Sequence, residues 1–307
     1  MTPLFSENLS PILVVFAYLY GFLALSSAWV WRLDCRASLR LQIFAWWRIF
    51  PIVTLAVMFF PLGIGALFYF LTGLVWRELR VYPAEPKHFT SFCGFTLVGY
   101  SLILLLPQSV QLPVQSIGFA LAIFAYRILI SYRQIATACW LLALTGLGFL
   151  LTVPHWITDT AFTAAAKGYE LANLQLVVLL FVLTALNDVA QFISGKLFGK
   201  HYLAATLSPN KTWQGALGGV VVTLCLALLI GNYWQLASSA SLLLLGITLA
   251  IAGIIGDLSL SYAKRQLSIK DFSQLIPGHG GILDRVDSLI FTTPVMVLWA
   301  HFSFGVV

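Results

Sequence analysis

Residues 174–195 read LQLVVLLFVLTALNDVAQFISG. From Leu174 to Leu186 the only polar side chains are Gln175 and Thr184, and Asn187 and Asp188 then arrive before the apolar pattern has ended. A helix crossing a bilayer needs about 20 mostly apolar residues, and this stretch supplies them without the period-2 alternation of a porin-like strand. Similar stretches recur at about 11–31, 90–106, 114–131, 136–153, 215–235, 240–262 and 287–305. With 60% hydrophobic and only 9% charged residues, against about a quarter charged in a soluble domain, no water-soluble core could absorb the excess. The chain is therefore an all-α, polytopic transmembrane protein of about eight spans.

The apolar stretch 50–76 is long for one span and short for two. Pro61, Gly63 and Gly65 near its middle suggest a bent helical hairpin. Basic residues arbitrate, because they gather on the cytoplasmic side of membrane proteins. If 50–76 enters and returns, one face collects Arg32, Arg36, Arg40, Arg48, Arg77, Arg80, Lys87, Arg127, Arg133, Lys196, Lys200, Lys211, Lys264, Arg265, Lys270 and Arg285, and only Lys167 lies opposite. Both termini are then outside. The four cysteines, Cys35, Cys93, Cys139 and Cys225, show no CxxC or metal-ligand spacing and read as packing residues. The net charge of +6 is scattered over short loops, which favours anionic lipid or a nucleotide over nucleic acid. Residues 1–170 read as N-terminal transmembrane helices and 171–307 as the chemistry-bearing half of one membrane unit, with polar loops at 196–214 and 263–286.

Four of the eleven acidic residues, Asp188, Asp257, Asp284 and Asp287, lie within or at the ends of apolar helices. Ionisable groups there are costly and mark function by default. On a helix, Asp257, Ser261 and Lys264 share a face, as do Asp284 and Asp287. The carboxylates suit a hard divalent cation; internal salt bridging to Lys264, Arg265 and Arg285 is the plainer alternative. Between these helices run Lys270, Asp271 and the turn Pro277-Gly278-His279-Gly280-Gly281. Glycines before a helix start allow backbone N–H groups to approach a phosphate, and the surrounding Lys264, Arg265, Lys270 and Arg285 make a polyphosphate the natural guest. A second segment, Ser208-Pro209-Asn210-Lys211-Thr212-Trp213-Gln214-Gly215, offers hydroxyls, a lysine and a glycine at another helix entry, without Walker spacing.

Together, Ser261-x-x-Lys264-Arg265-x4-Lys270-Asp271-x5-Pro277-x-His279-Gly280-Gly281-x-x-Asp284-Arg285-x-Asp287 resembles the signature of the phosphatidate cytidylyltransferases, or CDP-diacylglycerol synthases. Ser208 to Gly215 resembles that family's second conserved stretch and Gly256-Asp257-Leu258 its third. The resemblance runs from about Leu183 to Leu289; before that it is one of hydrophobic layout. Departures are Ala263 in place of a larger aliphatic residue, Gln214 in place of Glu and Gln191 in place of an aromatic residue, which suggest a divergent branch.

The resemblance implies an enzyme that converts CTP and phosphatidate into CDP-diacylglycerol and pyrophosphate at a cytoplasm-facing site of a bacterial inner membrane. It implies Mg²⁺, with room for a second cation, on Asp257 and Asp284, with Asp188 and Asp287 as further ligands or supporting residues. Lys211, Lys264, Arg265, Lys270 and Arg285 would hold the triphosphate and the lipid phosphate, with Ser208, Thr212, Ser261, His279, Gly280 and Gly281 lining the substrates. Membrane lipids, and a second copy in a homodimer, complete the expected partners; nucleic acid is not among them. Two other readings are a transporter, which would place its charges near the bilayer midplane on repeated broken helices, and a relative with another lipid phosphate acceptor or with binding but no turnover.

Overall fold

The computed structural model describes residues 10–32, 37–83, 86–155, 169–276 and 280–304. Inside a bilayer each backbone polar group must be satisfied within its own element, and the described residues do so with ten α-helices. They are α1 (Ser10–Arg32), α2 (Ala37–Met58), α3 (Leu62–Leu79), α4 (Pro86–Leu102), α5 (Gln108–Ser131), α6 (Ile135–Gly148), α7 (Tyr169–Phe198), α8 (Trp213–Tyr233), α9 (Ser239–Gln266) and α10 (Leu283–Phe304). Among the described residues nine helical segments are long and apolar enough to cross a membrane, and α2 adds a shorter apolar run, Ile43–Met58.

The stretch expected as a hairpin at 50–76 is the pair α2 and α3, broken at Phe59–Pro61. Pro61 stops one helix and starts the next, since it lacks the N–H that a continuous ladder would use. The pair is longer than its apolar stretch, running from Ala37 to Leu79; Arg40 and Arg48 interrupt the hydropathy without interrupting the helix. Pro51, Pro113 and Pro294 stay inside helices, as membrane helices tolerate. Arg36, Lys167, Cys35 and His279 lie outside the described residues.

Cross-helix hydrogen bonds fix which helix ends share a face. Glu78, at the end of α3, binds the amides of Ile282 and Leu283 at the start of α10. Tyr82 donates to the Phe272 carbonyl at 2.5 Å, and Tyr126, near the end of α5, to the Ser259 carbonyl of α9. The C-terminal ends of α3, α5 and α9 and the start of α10 therefore lie together.

Burial grades from lipid to centre. α1 exposes Tyr18, Phe22 and Leu25, whereas α6 is apolar around its circumference and buries Ala138, Cys139, Trp140, Leu142, Ala143, Leu144 and Leu147, the signature of a helix enclosed by others. α3, α4, α5, α9 and α10 pack about it.

The loop 196–214, expected without secondary structure, contains a short antiparallel hairpin, β1 (Tyr202–Ala204) and β2 (Ser208–Thr212), with Tyr202 opposite Thr212 and Ala204 opposite Ser208. Thr212 Oγ1 then accepts the Gly215 amide at 3.1 Å and caps α8.

Candidate active site

The site is built where the ends of α7 and α9 meet the starts of α8 and α10. On α9, Ser261 donates to Asp257 Oδ1 at 3.2 Å, the i, i+4 contact that the spacing requires. Lys211, at the end of β2, pairs with the other oxygen of Asp257. One turn beyond Ser261, Lys264 Nζ lies 2.7 Å from Asp284 Oδ1, with both side chains buried.

α9 and α10 approach very closely here. A Cβ on Gly256 would stand 2.3 Å from the Asp287 carbonyl oxygen, so only glycine lets the backbone of Asp287 come beside Asp257. Asp287 Oδ1 accepts the Ser288 amide at 2.8 Å. Ser288 Oγ bridges Asp188 Oδ1 at 3.1 Å and the Gly253 carbonyl at 3.2 Å, tying α7 to α9 and α10. One residue before Asp188, the buried Asn187 donates to the Ala250 carbonyl and accepts from Thr223, so the same node also holds α8. Neither Asn187 nor Ser288 is among the site residues expected from the sequence, although a polar amide next to Asp188 in an apolar helix is the signal that marked the carboxylates.

Asp188, Asp257 and Asp287 lie within electrostatic reach of one another, and Lys211, Lys264 and Arg285 act on them. With Asp284, four carboxylates face three cations. Their all-oxygen chemistry fits a hard divalent cation. Asp188 Oδ2 and Asp287 Oδ2 carry no hydrogen bond among the described residues, while both oxygens of Asp257 are engaged. Among those residues no three acidic, His or Cys groups yet converge in ligand geometry.

Asp284 is committed differently. Besides Lys264, it accepts the Phe272 and Gly281 amides, each at 3.0 Å on Oδ2. The N–H groups of Ile282 and Leu283 go to Glu78. The sequence reading had the glycine turn's amides facing a phosphate; in the structure those of Gly281, Ile282 and Leu283 already bind carboxylates. Gly280 has φ +80°, a conformation that suits glycine.

The remaining expected residues are spread around this centre. Arg265 is exposed and donates to the carbonyls of Leu207 and Ile269, clipping the β-hairpin to the turn after α9. Lys270 and Arg285 are exposed at the same end. Ser208 starts β2 opposite Ala204, and Thr212 is spent on the α8 cap. Glu78 is buried at 5% exposure and was missed by sequence reading.

A family model described as the cytidylyltransferase family matches residues 40–303. The chain belongs to the cytidylyltransferase family. Among curated proteins it is 38% identical over 167 residues to the uncharacterized protein YnbB of Escherichia coli, covering 50% of this chain and 56% of that one. It is 41% identical over 159 residues to a phosphatidate cytidylyltransferase of Pseudomonas aeruginosa, covering 50% and 57%. A phosphatidate cytidylyltransferase of Staphylococcus epidermidis is 31% identical over 241 residues, 75% of this chain and 87% of the relative. The chain thus spans a little over half the length of the first two relatives and most of the third.

The departures from the cytidylyltransferase pattern sit in supporting positions. Gln214 Oε1 accepts the Lys200 and His201 amides, and its Nε2 meets His201 Nδ1 at 2.9 Å, so it closes the base of the β-hairpin. Gln191 reaches Asp188 Oδ1 at 3.5 Å. Ala263 is fully buried in the core.

Proposed function

We propose that this chain transfers the CMP group of CTP to the phosphate of phosphatidate, giving CDP-diacylglycerol and pyrophosphate. The observation that carries the reading is the cluster of Asp188, Asp257, Asp284 and Asp287 with Lys211, Lys264 and Arg285 at one end of the bundle. The names of the relatives within the family support it.

In the reaction a phosphatidate oxygen bonds to the α-phosphorus of CTP. The bond from that phosphorus to the α,β-bridging oxygen breaks, and its electron pair leaves with pyrophosphate. A phosphomonoester has its second pKa at about 6, so the nucleophile is largely deprotonated and needs no general base. The task is to bring two polyanions together. Lys211 and Lys264 are held by Asp257 and Asp284, so their ammonium groups are in place before substrate enters. Arg285 acts on the same carboxylates, and it, Lys270 and the remaining donors of Arg265 would meet the triphosphate. Asp188, Asp257 and Asp287 would hold Mg²⁺, which supplies charge neutralisation on the reacting phosphates. Asp284 serves instead to seat Lys264 and the glycine turn.

We place this end on the cytoplasmic side of a bacterial inner membrane. Its helix ends and connections carry Lys196, Lys200, Lys211, Lys270 and Arg285, in keeping with the positive-inside bias, and CTP is water-soluble while the acyl chains can stay in the bilayer.

The test is conversion of labelled CTP to lipid-extractable product by purified protein with phosphatidate, with and without Mg²⁺. Mg²⁺-dependent labelled lipid that is lost in Asp257→Asn supports the reading. Labelled lipid formed equally without added Mg²⁺ and in Asp257→Asn removes the site assignment, and no labelled lipid from folded wild type overturns the activity.

A further inference from the structure

The carboxylates and lysines of the site lie in the C-terminal half, yet the turn that carries Asp284 is held from the other half of the chain. Glu78, the penultimate residue of α3, points its carboxylate at the start of α10. Oε1 accepts the Ile282 amide at 2.7 Å and the Ser273 hydroxyl at 2.5 Å, and Oε2 accepts the Leu283 amide at 2.9 Å. The opening amides of a helix have no intrahelical partner and carry the positive end of its dipole. A carboxylate from another helix meets both needs. Among the described residues no Lys or Arg is paired with Glu78, and these donors answer its charge.

The fit is close. A Cβ on Gly281 would stand 2.6 and 2.9 Å from the two Glu78 oxygens. Because Glu78 takes the Ile282 and Leu283 amides, the Gly281 amide is turned to Asp284 Oδ2, which also receives the Phe272 amide. Asp284 Oδ1 is then directed at Lys264. Tyr82, four residues after Glu78, adds its hydrogen bond to the Phe272 carbonyl. Burial, with Asp284 and Glu78 nearby, pushes the Tyr82 hydroxyl above its ordinary pKa, which keeps it a donor.

We propose that Glu78 is a positioning residue of the active site: through the 281–283 turn and Asp284 it sets the place of Lys264. The proposal rests on the cytidylyltransferase reading above for its effect on turnover, and on geometry alone for its effect on the turn. In Glu78→Gln one acceptor oxygen becomes an amide donor facing other donors, so the contact is broken with little change of volume.

The experiment has two readouts on the full-length protein in detergent. The first is amide hydrogen exchange over 270–286, which does not require turnover. Glu78→Gln is expected to speed exchange there at least tenfold and to leave 240–255 of α9 unchanged; unchanged exchange at 281–283 overturns the proposal. The second is a double-mutant cycle on kcat with Lys264→Ala, since coupled residues are non-additive. Glu78→Gln is expected to lower kcat by at least tenfold in wild type and by less than threefold in the Lys264→Ala background, with the CTP KM moved less than kcat. Val75→Ala, a buried α3 substitution away from the turn, serves as the structural control and is expected to combine with Lys264→Ala additively. Additive behaviour of Glu78→Gln overturns the positioning role. Absence of lipid product from wild type fails the functional reading instead, and the exchange measurement still decides the contact.

Discussion

Lys264 Nζ and Asp284 Oδ1 are 2.7 Å apart, in side chains only 10% and 2% exposed. Removing one partner of a buried ion pair leaves an uncompensated charge and costs about 3–5 kcal/mol. Asp284→Ala also frees the Phe272 and Gly281 amides. Asp284→Ala is therefore expected to lower the unfolding temperature markedly, with more loss than Asp257→Ala, whose side chain is 27% exposed. Thermal denaturation in one detergent compares the two; equal shifts would count against Asp284 as the seat of the turn.

The carboxylates separate by role when Mg²⁺ is titrated. Asp188→Asn, Asp257→Asn and Asp287→Asn are each expected to raise the Mg²⁺ concentration for half-maximal turnover by tenfold or more, or to abolish turnover, while folded yield is kept. Asp284→Asn is expected to reduce turnover at an unchanged Mg²⁺ midpoint. A shifted midpoint in Asp284→Asn would return that residue to the metal.

Gly280 carries the positive φ of the turn, and a Cβ there would stand 3.1 Å from Asp284 Oδ2. The left-handed region costs a non-glycine residue about 1–2 kcal/mol. Gly280→Ala is expected to destabilise the protein by about that amount and to lower turnover beyond what the stability loss explains, because the strain falls on the acceptor of Lys264. Turnover and unfolding measured on the same preparation check this, and wild-type turnover would detach the turn from the chemistry.

Gln214, where a carboxylate would have matched the family pattern, binds the amides at the base of the β-hairpin. A glutamate can accept the same two bonds. Gln214→Glu is expected to keep turnover within threefold and leave the preferred lipid phosphate unchanged, whereas Gln214→Ala should raise the CTP KM by loosening the strand that carries Lys211. A panel of lipid phosphates assayed with both variants tests the point.

Span layout was legible because hydropathy over 20 residues is a local property, and the Asp257, Ser261 and Lys264 face because helix periodicity fixes it. The contacts of Glu78 were not legible: its amide partners lie 204 and 205 residues away, and among Trp76, Arg77 and Arg80 it reads as one more interfacial polar residue. The rule that singled out the aspartates, that acidic groups in apolar helices need a reason, applied equally to Glu78. The β-hairpin escaped because Ser208–Thr212 has no apolar alternation; its pairing is set by Gln214 and by the α8 cap. The glycine turn was read as a phosphate cradle because sequence shows which amides a helix start leaves open and not which carboxylate from elsewhere fills them.

Gly256 offers the sharpest single test of how the helices hold the carboxylates. Its missing Cβ would lie 2.3 Å from the Asp287 backbone oxygen and 3.2 Å from a Phe291 ring carbon, and backbone atoms cannot rotate away as a side-chain end can. Gly256→Ala must therefore push α9 and α10 apart at the level where Asp257 and Asp287 face each other. Alanine is itself a better helix former than glycine, by about 1 kcal/mol, so local helix stability is not what suffers. The expected result is a folded protein whose turnover falls by at least a hundredfold and whose Mg²⁺ midpoint rises. Substitution at Gly73 of α3, where a Cβ meets nothing within 4 Å, should leave both unchanged. Equal tolerance at Gly256 and Gly73 would mean that the close approach of α9 and α10 does not set the carboxylate spacing.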